Sequence, residues 1–275
     1  MKKILSKLIV LALFATPLAG AHADMVPKRS VLSNGMVLLT SEQRALPMVA
    51  LELIIEAGSR HEAAEQAGLA NLTSKLLTYG TKKRSALQIS ETLDFIGASL
   101  ETGAGENVAS VSLTILKKDL AVGLELLAEI LTSSTFPQDE INRQKQAIIA
   151  GIRAQEEDPG AVAGKAFTAA LFPQSPYGRP VEGSEASVRS LQAQSLKDFF
   201  TRYYRPNRTI MSVVGAVSEA EIIEALNQVL RGWSKGAESA PPTVPSKIGT
   251  AQTVRINKDL TQANIILGHA GVPRG

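Results

Sequence analysis

No cysteine occurs among the 275 residues. Disulfide cross-links, thiolate nucleophiles and cysteine-ligated metals are therefore excluded. Histidine is nearly as scarce, at three residues. One, His22, lies in the leader described below, and the other two, His61 and His269, are far apart in the sequence. Metal centres need clustered ligands, so each of these two reads as an exposed or hydrogen-bonded side chain. A membrane-length apolar run is also missing. The stretch Leu8–Leu18 is too short to span a bilayer and is broken by Pro17, and no later segment is apolar enough.

The apparent excess of positive charge belongs to the leader. Residues 1–23, MKKILSKLIVLALFATPLAGAHA, combine a basic start (Lys2, Lys3, Lys7), an apolar run and an Ala21-His22-Ala23 cleavage pattern, which reads as a secretory signal peptide cleaved after Ala23. Those three Lys account for the whole formal charge of +3, because the remaining 26 Lys and Arg balance 26 Asp and Glu. A neutral mature chain argues against a nucleic-acid surface, which requires a basic excess. The expected destination is the periplasm, without stable membrane insertion.

What is present is patterned as α+β. Ser30–Thr40 reads as two short strands around an Asn34-Gly35 turn, and Met48–Ala57 as a sheet strand. A helix is expected from about Glu62 to Tyr79, with Leu69, Leu72, Leu76 and Leu77 at helical spacing, and another from Ala86 to Ile96, stopped by Gly97. Ser99–Glu101 and Val108–Ile115 suggest a meander around Gly103-Ala-Gly105. Helices are expected at Leu120–Leu131, Gln138–Gln155, Ala161–Leu171, Gln192–Tyr204 and Glu219–Leu230, with a buried strand at Thr209–Val214. Strands and helices cluster without strict alternation, which favours helices packed on a mostly antiparallel sheet. The Pro-rich stretch 234–247 reads as a linker after a first domain spanning 24–233. Thr253–Asn257 and Ala263–Gly268 then repeat the opening strand–turn–strand pattern, so residues 248–275 read as the first strands of a truncated second domain.

The most telling segment is Gly68-Leu-Ala-Asn-Leu-Thr-Ser-Lys-Leu-Leu-Thr-Tyr-Gly-Thr81, within the frame AGSRHEAAEQAGLAN…YGT. It resembles the metal-binding helix of the M16 (insulinase, pitrilysin, mitochondrial processing peptidase) metallopeptidases. Leu32-Ser-Asn-Gly-Met36, Pro176-Tyr-Gly-Arg-Pro180 with Gly183-Ser184, Tyr203-Tyr-Arg-Pro-Asn207 and Val213-Val-Gly215 are similar to further motifs of that family, in order. The resemblance implies the LuxS/MPP-like metallohydrolase fold, with two homologous domains per half. It also implies a helix carrying H-x-x-E-H, in which two His hold zinc and the Glu polarises water. Those positions here are Asn71, Ser74 and Lys75. The family's third ligand, a Glu on a later helix, falls at Gly151, beside Ala150. An amide, a hydroxyl, an ammonium without a lone pair and a glycine make no zinc site. No catalytic residue, metal or cofactor is therefore expected on this chain.

Other features read as structural. Glu156-Glu-Asp158 is a solvated helix end before Pro159, and Lys82-Lys-Arg84 a solvated turn. The sequon Asn71-Leu-Thr73 is inert inside a buried helix, Ser59 and Ser74 lack a partnered His, and Gly103 and Gly105 form no phosphate loop. The family resemblance points to a non-catalytic subunit that pairs with a zinc-bearing homologue, or with itself, around an extended peptide. A peptide-binding or envelope scaffold without proteolysis is the alternative. An active zinc endopeptidase with substitute ligands ranks last, since three protein ligands are not visible.

Overall fold

The computed structural model describes residues 27–237, 250–259 and 261–271; the leader and most of the expected linker lie outside them. The Asn34-Gly35 signal produces a hairpin between β1 (Lys28–Val31) and β2 (Val37–Glu42). Gly35 takes φ +87°, and Asn34 Oδ1 accepts the Met36 amide at 3.1 Å, closing the loop. β3 (Met48–Ile55) and β6 (Thr209–Gly215) form the middle of a six-stranded sheet ordered β1-β2-β6-β3-β5-β4. Only β2 and β6 run parallel; every other pair is antiparallel. β4 (Ser99–Ala104) and β5 (Ala109–Leu116) form the far edge. Gly103, expected in a turn, is paired within β4 opposite Ser110, and the reversal falls later, where Gly105 donates to the Val108 carbonyl.

Strict alternation along β3 turns Val49, Leu51, Leu53 and Ile55 to one face, where all are buried. That face carries the core. α1 (Leu69–Lys75) packs on β4 and β5, α3 (Leu120–Ser133) on β5, and α8 (Glu219–Val229) on β2. The opposite face is open, with Met48, Ile54, Ile210 and Val214 exposed. α2 (Ala86–Ile96) ends at Gly97 in the left-handed region, as its sequence predicts. α4 (Gln138–Glu157) and α5 (Pro159–Leu171) meet at Asp158, whose carboxylate caps α5 through the amides of Gly160 and Ala161. The acidic cluster is thus a helix junction. A short α6 (Glu185–Ser190), which the sequence reading does not anticipate, precedes α7 (Ala193–Tyr203).

Three expectations require correction. The helix expected over Glu62–Tyr79 is regular only from Leu69 to Lys75; short 3₁₀ turns occupy Ser59–His61, Ala64–Gln66 and Leu76–Thr78. Gly68, at φ +97°, breaks the run. The turn Lys82-Lys-Arg84 is not simply solvated. Arg84 pairs with Glu129, a carboxylate only 4% exposed, which also receives the Thr81 hydroxyl at 3.1 Å and lies 3.7 Å from Lys83 Nζ. Finally, Thr253–Asn257 and Ala263–Gly268 form no strand. They pair with neither sheet edge, and an unpaired strand is not stable in water. Instead Gln252 and Lys258 donate to the backbone carbonyls of Ala170 and Glu156.

Candidate functional site

α1 is held at both ends. Its N-cap is Gly68, which has no side chain to satisfy the first helical amides. Glu62 supplies the acceptor from six residues upstream, its carboxylate receiving the amides of Gly68 (3.1 Å) and Ala70. Glu62 is 8% exposed. Burial pushes its carboxyl up to about 7, against the opposing pull of the two amides and of Arg179. Arg179, in the Pro176–Pro180 loop, donates to the Glu62 carbonyl at 3.3 Å. The Gly58–His61 turn is fixed to the β4–β5 reversal by Ser59 and Arg60 amides donating to Gly105 and Glu106 carbonyls. At the other end, the Thr81 amide donates to the Arg84 carbonyl, and the Arg84–Glu129 pair ties this turn to α3.

Within that frame, Leu69, Ala70, Leu72, Thr73 and Ser74 are buried. Ser74 is fully enclosed and its Oγ donates to the Asn71 carbonyl at 2.9 Å, so the hydroxyl is occupied by its own helix. Asn71 is half-buried and Lys75 exposed, one turn apart. Gly151 lies on the exposed side of α4, where a Cβ would meet nothing within 4 Å. The structure packs α4 against α1, so it brings together the two helices that carry Asn71, Ser74, Lys75 and Gly151. These residues do not fit zinc: a neutral amide, an ammonium group and a bare backbone offer no set of three ligands. Among the described residues, no group of three or more His, Asp or Glu could hold a metal ion.

The remaining histidines sit elsewhere. His269 is exposed, its ring beside the neighbouring Ala270 carbonyl. His61 is half-buried with its ring 4.7 Å from that of Tyr203. Burial, followed by the charges of Arg60, Arg208 and Arg202, lowers its imidazole to about 4. In the sequence Glu62 reads only as a helix start and Arg179 only as part of a loop motif. A glycine at a helix start demands an external acceptor, and that signal could have singled out the acid in Ser59-Arg-His-Glu62.

A six-stranded mixed sheet covered on one face by helices, with α1 packed against α4, is a peptidase-type architecture. The family model "Insulinase (Peptidase family M16)" matches residues 37–185, and "Peptidase M16 inactive domain" matches 190–275. The chain belongs to the M16 peptidase family. The boundary between the two matches is not a structural one here, because β6 of the second match lies between β2 and β3 of the first. An uncharacterized zinc protease of Rickettsia felis is 28% identical over 89% of this chain, and YmxG of Bacillus subtilis, also called an uncharacterized zinc protease, is 26% identical over 90%. The chain spans 58% and 60% of those relatives. Among solved structures, a peptidase M16 inactive domain from Pseudomonas fluorescens superposes with a TM-score of 0.75 at 28% identity, covering 78% of this chain and 52% of that one. The periplasmic protease PqqL of Escherichia coli shares the fold, with a TM-score of 0.71 at 20% identity over 79% of this chain and 25% of its own.

Proposed function

We propose that this chain is an exported, non-catalytic M16 subunit that pairs with a zinc-bearing homologue and forms part of the wall around an extended peptide. One observation carries the reading: α1 is anchored by the Glu62 cap, the Gly68 break and the Arg84–Glu129 clamp, while Asn71, Ser74, Lys75 and Gly151 stand where the family resemblance expects the metal ligands and the base. A helix freed from chemistry but still fully anchored serves packing and assembly. Zinc, in this account, resides on the partner. Export to the periplasm is supported by the leader at residues 1–23 and by the periplasmic protease that shares the fold. Among the described residues, no helix is long and apolar enough to cross a membrane.

Co-expression with a homologue that carries H-x-x-E-H tests the proposal. The expected result is a co-purifying pair whose peptide hydrolysis exceeds that of the homologue alone. Co-purification without any change in hydrolysis would favour a scaffold role. No pair and no effect would reject the proposal.

A further inference from the structure

Beyond the degenerate zinc positions, the strongest concentration of chemistry gathers around Tyr203. Its ring lies 4.7 Å from the His61 ring, and the guanidinium carbons of Arg202 and Arg208 are each 5.4 Å from its centroid. Arg60 adds a third guanidinium, with Nε 3.4 Å from His61 Nε2 and Nη1 3.4 Å from Asn107 Oδ1. Tyr177 donates its hydroxyl to the same Asn107 oxygen at 2.6 Å, so the loop carrying it closes one side of the patch.

Three like charges held this close repel one another. Stacking on Tyr203 offsets part of the cost, and Glu56 lies 3.5 Å from Arg208. Neither Arg60 nor Arg202 forms an ion pair with a carboxylate among the described residues, and Arg202 is exposed. The cluster is built on rigid elements: the Ser59–His61 turn and α7, both packed against α1.

We propose that Arg60 and Arg202, arrayed around His61 and Tyr203, form a docking site for an acidic, extended segment of a partner protein. Guanidinium forks match carboxylates in pairs of parallel hydrogen bonds. In an extended peptide, alternate side chains share a face about 7 Å apart, a spacing on the scale of a patch gathered around one ring. Membrane surfaces recruit larger clusters of about four to eight basic residues, and among the described residues of this cluster only Arg60 and Arg202 lack an ion pair with a carboxylate. That favours a peptide over an anionic bilayer. The inference is independent of the proposed pairing with a zinc-bearing homologue.

The test is fluorescence anisotropy of a labelled Glu-Ser-Glu-Ser-Glu peptide titrated with the full chain at low salt. Parallel titrations use Arg60→Gln, Arg202→Gln, the distant control Arg143→Gln, and vesicles containing phosphatidylglycerol. The proposal expects binding that weakens with salt, and a loss of about fivefold in affinity for each site variant with none for the control. It also expects the His61 imidazole, followed by NMR, to rise in pKa when the peptide binds, because the bound carboxylates offset the surrounding charge. Circular dichroism of the variants separates misfolding from lost contacts. No peptide binding, equal binding by all variants, or binding to vesicles without the peptide would each overturn the proposal.

Discussion

The carboxylate of Glu62 accepts the backbone amide of Gly68 at 3.1 Å, so an acid six residues upstream caps α1. Its burial gives this contact a signature in pH. The folded-state pKa of about 7 lies above the ordinary 4.5, so folding favours the protonated form. The stabilisation is full below about pH 4.5 and is lost as pH rises through 7. Native protein should lose on the order of 2–3 kcal/mol relative to Glu62→Gln between pH 4.5 and 8. Denaturant midpoints of both proteins across that range check this; a constant difference would contradict it.

His61 acts in the opposite sense. Its imidazole is lowered to about 4 by burial and three neighbouring arginines. Folding therefore favours the neutral ring, and the stability it contributes is present above the ordinary value near 6.5 and lost as pH falls through 4. His61→Phe should flatten the acid side of the stability profile. The same denaturant series, extended to pH 3.5, measures it.

Glu129 is 4% exposed and depends on Arg84, Lys83 and Thr81 for compensation. Arg84→Met should cost about 3 kcal/mol, because it leaves a buried carboxylate with weaker partners. Replacing Arg84 and Glu129 together by Met should cost less than Arg84→Met alone. A double-mutant cycle by urea denaturation reads the difference directly.

Gly68 holds φ +97°, and a Cβ there would stand 2.7 Å from the Glu182 carbonyl oxygen. Gly68→Ala should destabilise the chain by at least about 1–3 kcal/mol from backbone strain alone, with thermal unfolding as the measurement.

The frame around α1 should also accept the ligands that the family resemblance assigns to these positions. Gly151 has open space where a side chain would project, while Asn71 and Lys75 lie outside the sealed core. The triple variant Asn71→His, Lys75→His and Gly151→Glu should retain close to one zinc per chain, measured by inductively coupled plasma mass spectrometry. Failure of a folded triple variant to bind zinc would show that the frame has drifted from its metal-binding geometry.

Elements whose identity rests on local pattern were legible in the sequence. The β1–β2 hairpin followed from Asn34-Gly35, β3 from its apolar alternation, and the end of α2 from Gly97. Contacts between distant residues were not. The leucine spacing that predicts a long helix through residues 62–79 is real, but Gly68 and the capping demand on Glu62 overrule it at the N-terminal side. Glu129 is separated from Arg84 by 45 residues, so the role of the basic turn could not be read locally. The family resemblance, and not the residues alone, assigns Asn71, Ser74, Lys75 and Gly151 to the metal and base positions. Only the structure shows that Ser74 is sealed and that α4 lies against α1.

The zinc content of the native chain, purified and dialysed at neutral pH, tests the central claim most directly. The account predicts far less than one zinc per chain, and no peptide hydrolysis by the chain alone. One zinc per native chain, retained through dialysis and accompanied by hydrolysis, would contradict it.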